Sequence, residues 1–288
     1  MDKNNLIVYK SNKIIEAAYK LSLNEQRLLL MCIAKINSTK PLSTTDLFEV
    51  TAKEFAQRFQ ISEDKAYQTL KDVSERLFER YVIIDNPDPD TPTLKYTKTR
   101  WISSIDYIPE LGKVSVYFAQ RMFPYLSGLT GQFTFYLLEN IAAMNSIHAL
   151  RLYELLMQWK TTGVREIEID WLKTQFEIED KYSSIKDLKK YVIDPAVKDI
   201  NIHSNFQAAW IQRKTGRRVT HLTFTFAEKQ PVTPKKLKKP ATKSTAKPAE
   251  IKVDNIEHFA DLRKRLGDIA NVGIPEDIAN ILKAQGRW

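Results

Sequence analysis

The residues able to do chemistry in this 288-residue chain are four histidines, one D-x-D and a scatter of tyrosines, and their spacing argues against catalysis. His148, His203, His221 and His258 show neither H-x-E nor H-E-x-x-H spacing, so the metal-binding pair that a strand-nicking enzyme needs is missing. Asp88-Pro89-Asp90 lies within DNPDPDTP, which reads as a Pro-rich turn. Tyr19, Tyr153 and Tyr191 are conceivable nucleophiles only beside such a metal. Tyr153, in RLYELLMQW, lies on an apolar helix face and is expected to pack in the core, and His148 of the same helix reads as a structural or surface imidazole. None of the eight glycines belongs to a G-x-x-x-x-G-K-[ST] string, so an ATPase or helicase has no phosphate cradle. The single cysteine, Cys32 in LLLMCIAKI, excludes a disulfide framework and a Cys-rich zinc site, and is expected to be a buried small hydrophobe. The expectation is a non-enzyme without cofactor or metal, acting by binding.

What it binds depends on where the charge lies. The chain carries +9, with 44 Lys and Arg against 35 Asp and Glu. Residues 229–250, KQPVTPKKLKKPATKSTAKPAE, account for +6 of this, and 251–288 are neutral, which leaves 1–228 only mildly basic. The Lys/Pro/Thr/Ala segment cannot bury a core and is expected to be a disordered linker. Its Lys235, Lys236, Lys238 and Lys239 either touch phosphates or merely keep it solvated. Within 1–228 two stretches are free of acid. Lys95, Lys98 and Arg100 lie between Asp90 and Asp106, and Arg213, Lys214, Arg217 and Arg218 lie between Asp199 and Glu228. Each reads as a hairpin: TLKYTKTRWISSIDYI turning at Pro-Glu-Leu-Gly into KVSVYF, and AAWIQ turning at Thr215-Gly216 into VTHLTFTF. An ordinary solvated hairpin is the alternative for either one. Trp101, beside Arg100, either stacks on nucleic acid or, as the stronger expectation, packs in the core.

These hairpins end two copies of one plan. Copy one opens on the capping-box pattern Ser22-Leu23-Asn24-Glu25, followed by the apolar helix QRLLLMCIAKIN, the strand LFEV, the helix TAKEFAQRFQ, the helix SEDKAYQTLKDVSERLFER and the first hairpin. Copy two runs through SIHALRLYELLMQWK, REIEI, DWLKTQF, SSIKDLKKYVIDPAVKDI and the second hairpin. Phe55, Phe59 and Ile61 repeat their spacing in Leu172, Phe176 and Ile178. Helix, strand, helix, helix, hairpin is the order of a winged helix, whose second close-set helix can enter a major groove while the wing reaches the backbone or minor groove. In copy one, Ala66, Leu70, Val73 and Leu77 form the buried stripe of that helix. Its outer face shows Lys65, Gln68 and Lys71 among Asp64, Asp72, Glu75 and Glu79. In copy two the stripe is Ile185, Leu188, Val192, Ala196 and Ile200. Lys186 and Lys190 lie on the other side, Lys189 sits near the boundary, and Pro195 should kink or split the helix. Copy two is expected to be the stronger DNA reader.

Specific strings carry a resemblance. KSNKIIEAAYKLSLNEQRLLLMCIAKIN (10–37), SIHALRLYELLMQWK (146–160) and DLKKYVIDPAVKDIN (187–201) resemble, in the right order, segments of the initiator replication proteins of iteron-containing theta-type plasmids. The resemblance covers about residues 6–227. It implies two winged helices that bind repeated origin sites as a monomer, dimers that act as autorepressors on an operator, and recruitment of the host initiator and replicative helicase without catalysis.

The expected architecture is α+β, with two tandem, pseudo-duplicated winged helices at 1–125 and 126–228. A basic disordered linker (229–250) and a small helical piece (251–288) are expected to follow. The expected DNA contacts are Lys65, Gln68, Lys71, Lys98, Arg100, Lys186, Lys189, Lys190, Arg213, Lys214, Arg217 and Arg218. A winged-helix transcription regulator is the alternative. With no run of ~18 apolar residues and no signal-peptide pattern, a cytoplasmic, membrane-free protein is expected.

Overall fold

A computed structural model describes residues 6–88 and 90–229. Apart from Lys229, the linker expected over 229–250 and the helical piece expected over 251–288 lie outside the described residues.

The chain opens with β1 (Ile7–Ser11), the single turn α1 (Asn12–Ile15) and β2 (Ala18–Tyr19). Ser22 then caps α2 (Leu23–Ile33) through the capping box expected of it. Its hydroxyl accepts from the Glu25 N–H at 3.3 Å, and the Glu25 carboxylate accepts from the Ser22 N–H at 2.6 Å. Every residue of α2 from Glu25 to Ile33 is buried, as an all-round apolar helix requires. β3 (Phe48–Thr51) leads into α3 (Ala52–Phe59), which carries a second capping box between Thr51 and Glu54. In α4 (Glu63–Leu77) the stripe Ala66, Leu70, Val73 and Leu77 is buried at helical spacing. Next come β4 (Tyr81–Asp85), β5 (Tyr96–Arg100), β6 (Ile102–Ile108) and β7 (Lys113–Phe118).

The long first arm expected of the first hairpin is two strands in two sheets. β5 pairs with β4, and β6 pairs with β7. The break is at Trp101, whose indole is 1% exposed and meets the Tyr19 ring edge-on at 4.9 Å. Burying that ring turns the chain between the sheets, and burial of a large aromatic stabilises by roughly 1.5–3 kcal/mol. The wing is therefore β6–β7 alone. It turns at Pro109–Leu111 and Gly112, where φ is +52° and an added Cβ would lie 2.5 Å from the Tyr67 ring. Any other residue would have to displace the Tyr67 ring and hold a left-handed backbone, so glycine is favoured there.

α5 (Phe123–Leu126), β8 (Phe133–Leu137) and α6 (Glu139–Ala142) lead to the second copy. This comprises α7 (Ile147–Met157), β9 (Val164–Glu168), α8 (Ile169–Gln175), α9 (Ile185–Leu188), α10 (Asp194–His203), β10 (Phe206–Thr215) and β11 (Arg218–Glu228). The helix containing Pro195 is split as expected. Lys189–Ile193 form a π turn between α9 and α10, in which the Asp194 N–H reaches back five residues to the Lys189 carbonyl. Proline lacks the N–H that would close the ordinary ladder, and it sits in the first turn of α10.

Sheet order confirms the duplication. Copy one pairs β3, β7 and β6 in that order across the sheet, and copy two pairs β9, β11 and β10, so strands of equal rank occupy equal places. Copy one differs by the hairpin β4–β5, inserted between the helix and the wing. These are two winged-helix domains. They are joined intimately: β1 pairs with β8, and the buried apolar residues form one cluster from Val8 to Phe226. Buried guanidiniums close the join on backbone carbonyls, Arg27 on Met144 at 2.8 Å and Arg151 on Ala17 at 2.8 Å, while Arg165 reaches Glu16 at 3.0 Å.

Candidate nucleic-acid interface

In the second copy, Ser184 caps α9, its hydroxyl accepting from the Lys186 N–H at 3.1 Å. This places Lys186 in the first turn with its side chain in solvent. Lys189 turns sideways toward the wing, its ammonium 3.1 Å from the Gln212 side-chain oxygen and 5.8 Å from the Trp210 ring. Lys190 is exposed and lies over Tyr191 at 4.8 Å. The wing closes in a two-residue turn, Gly216-Arg217, with Gly216 at φ +61°. A tight hairpin turn of this kind favours a residue that tolerates positive φ.

The four wing cations divide into two kinds. Arg213 is half-buried and forks onto Glu166 of β9, with Nε and Nη2 each 2.8 Å from a carboxylate oxygen. Arg218 meets Asp170 of α8 at 3.0 Å, an exposed pair worth little in water. Lys214 and Arg217 stand at the tip, exposed, with no ion pair among the described residues. The stretch is acid-free along the chain but not in space, because Glu166 and Asp170 come from elements some 50 residues earlier.

The first copy is arranged differently. Lys65, Gln68 and Lys71 are exposed on α4. Gln68 donates to Asp72 at 2.8 Å. The acids Glu63 and Asp64 occupy the first helical turn, where carboxylates stabilise the positive end of the helix dipole. Lys98 and Arg100 are not on the wing, since β5 belongs to the inserted hairpin. Lys98 lies 3.8 Å from the centre of the Tyr81 ring; Arg100 lies over Phe78 at 4.2 Å and pairs with Glu79 at 3.0 Å. The first wing tip, Pro109–Gly112, has no cation, and the adjacent Lys113 is held by Glu49, whose carboxyl that hydrogen bond keeps below its usual range.

The imagined nucleophiles fall into place. Tyr153 is buried and donates to Asn205 at 2.8 Å, and burial raises its hydroxyl pKa. His148 stacks on Phe176 at 5.4 Å, and burial depresses it to about 4. Cys32 is fully buried, and its thiol is pushed up to about 12. The Asp88 carboxylate accepts from Thr91 and from the Asp90 N–H, the hydrogen bonding of a turn. Tyr191, 53% exposed beside Lys190, joins the candidate face; its exposure was not legible from residue type.

The family model described as Initiator Replication protein, WH1 matches residues 7–157, and that of Initiator Rep protein, WH2 matches 168–226. The chain belongs to the initiator replication protein family. Among the relatives of this initiator, a replication initiation protein of Escherichia coli is 30% identical over 226 residues, covering 76% of this chain and 69% of the relative. An uncharacterized 27.6 kDa protein of Escherichia coli is 31% identical over 206 residues, covering 67% and 84%. The initiator also shares its fold with the crystal structure of Pi initiator protein in complex with iteron DNA, with a TM-score of 0.68 and 22% identity over 80% of this chain and all of that one. No helix among the described residues is long and apolar enough to cross a membrane.

Proposed function

We propose that this initiator binds repeated duplex sites at a plasmid origin, with the second winged helix as the main reader. The observation that carries the reading is the face where α9, the π turn and the tip of β10–β11 leave Lys186, Lys190, Lys214 and Arg217 exposed without ion pairs among the described residues. Helix cations read base edges or phosphates, and tip cations add backbone contacts. Lys189, tied to Gln212, and Arg213, tied to Glu166, hold helix and wing in register. Lys65, Gln68 and Lys71 make the lighter contacts of the first domain, Lys98 and Arg100 meet DNA from the inserted hairpin rather than a wing, and Arg218 exchanges Asp170 for phosphate. The fold shared with an initiator crystallised on iteron DNA supports the choice of partner.

In this reading the monomer fires replication by recruiting the host initiator and replicative helicase, and the dimer represses the protein's own gene in the cytoplasm. The plan restarts at 125/126, and the residues from 229 on add attraction without sequence choice. Footprinting on the DNA flanking its own gene tests the proposal. Protection of several direct repeats of ~20 bp, one monomer to each, is the expected result; protection of a single operator and nothing else would make the protein a plain repressor.

A further inference from the structure

Tyr191 is an expensive residue to leave in water at the centre of a DNA-reading helix, and three features hold it there. The first is the π turn. It widens the turn that carries the ring: Leu188, Val192, Ala196 and Ile200 keep one buried stripe, Ile193 and Val197 join it, and Tyr191 stands off it with 53% of its surface exposed. Such bulges are frequent at functional sites. The second is Tyr182, whose ring stacks on Tyr191 at 6.2 Å with 27° between planes. Tyr182 has φ +53°, a left-handed backbone that a bulky residue adopts only when its surroundings impose it. The third is Lys190, whose ammonium lies 4.8 Å from the Tyr191 ring centre and ties the ring to the cationic face.

We infer that Tyr191 reads thymine in the repeat, its ring edge covering the C5-methyl group in the major groove, with Tyr182 as the positioning residue behind it. This rests on the proposed DNA-binding reading and deepens it. Lysines can select guanine by hydrogen bonds, but only an apolar surface recognises the thymine methyl. A stacked ring also loses little rotamer freedom on docking, unlike a free lysine.

The test uses the full chain and the duplex repeat footprinted beside its gene, with each dT replaced in turn by dU, which removes one methyl and nothing else. The intact protein should lose about fourfold in affinity at one position, the amount expected for one buried methyl. Tyr191→Ala should bind the unmodified repeat more weakly by at least that factor and lose nothing further on the same dU duplex, whereas Tyr191→Phe should match the intact protein on both. Tyr182→Ala should blunt the dU effect while leaving salt dependence unchanged. Indifference of the intact protein to every dU substitution overturns the inference while leaving repeat binding in place. Equal losses for Tyr191→Phe and Tyr191→Ala overturn it in favour of a phenol–phosphate contact. If the intact protein shows no preference for any duplex, the proposed function fails and this inference with it.

Discussion

Lys10 and Glu154, 144 residues apart, form an ion pair with both side chains removed from solvent, the ammonium 2.9 and 3.0 Å from the two carboxylate oxygens. Tyr136 donates its hydroxyl to the same carboxylate, and burial beside that charge raises the tyrosine well above its usual range. Lys10 is on β1, Tyr136 on β8 and Glu154 on α7, so the triad ties the first strand to the helix that opens the second copy.

Breaking this pair should be costlier than deleting it. Glu154→Leu leaves the ammonium buried without its counterion and should destabilise by ~3–5 kcal/mol, whereas Lys10→Met with Glu154→Leu should recover much of the loss. Urea midpoints of the two variants check this; a double variant no more stable than the single would mean that the loss comes from packing.

Acid should weaken the fold through His148. Its folded value is about 4, against ~6.5 in an unfolded chain, so between those limits the unfolded state binds more protons. The stabilisation is therefore complete above about pH 6.5 and is lost as pH falls toward 4, on the order of 3 kcal/mol. His148→Gln should flatten the urea midpoint across that window. An unchanged acid dependence would assign it to the carboxylates.

The helices and the duplicated order were legible because apolar spacing and caps are local. Leu70 and Val73 declare their face in one helix, and Ser22 with Glu25 declares its end. The break at Trp101 was not legible, because TLKYTKTRWISSIDYI has strand character throughout and only burial under Tyr19 divides it. Nor could sequence separate Arg213 from Arg217, since the partner of Arg213 comes from another strand. The π turn was legible in part: Pro195 announced the split, and the stripe Leu188, Val192, Ala196 and Ile200 left Tyr191 off the buried face, but nothing local announced that Tyr182 would stack on it.

The wing cations should therefore separate by experiment. Lys214→Ala and Arg217→Ala should each reduce the log–log salt slope of DNA binding by about 0.9, the value of one phosphate contact. Arg213→Ala should instead lower thermal stability, because Glu166 loses its guanidinium partner and keeps only the Thr223 hydroxyl of β11 among the described residues. Salt titrations and melting curves on the same three proteins decide this; a reduced slope with unchanged melting for Arg213→Ala would put it on the DNA.

The two recognition helices should be unequal. Lys186→Ala or Lys190→Ala should weaken repeat binding more than Lys65→Ala or Lys71→Ala, because Asp64, Asp72 and Glu75 crowd the outer side of α4. If either lysine of the second helix reads a base edge, discrimination at one position should fall by roughly 1–3 kcal/mol. Equal losses at all four positions, the same on every duplex, would mean that both helices serve only as phosphate anchors.

The β1–β8 pairing also sets a schedule for synthesis. The strand made first has no neighbour to hydrogen-bond until Phe133–Leu137 emerge, and Lys10 has no counterion until Glu154 does. At about 5–20 residues per second, that wait is roughly 7–29 s. Through most of it β1 has no strand partner and can rest only on helices such as α1 and α2, and its lysine stays hydrated. A ribosome stalled after the wing would therefore display β1 without its strand partner beside the sheet of β3, β7 and β6.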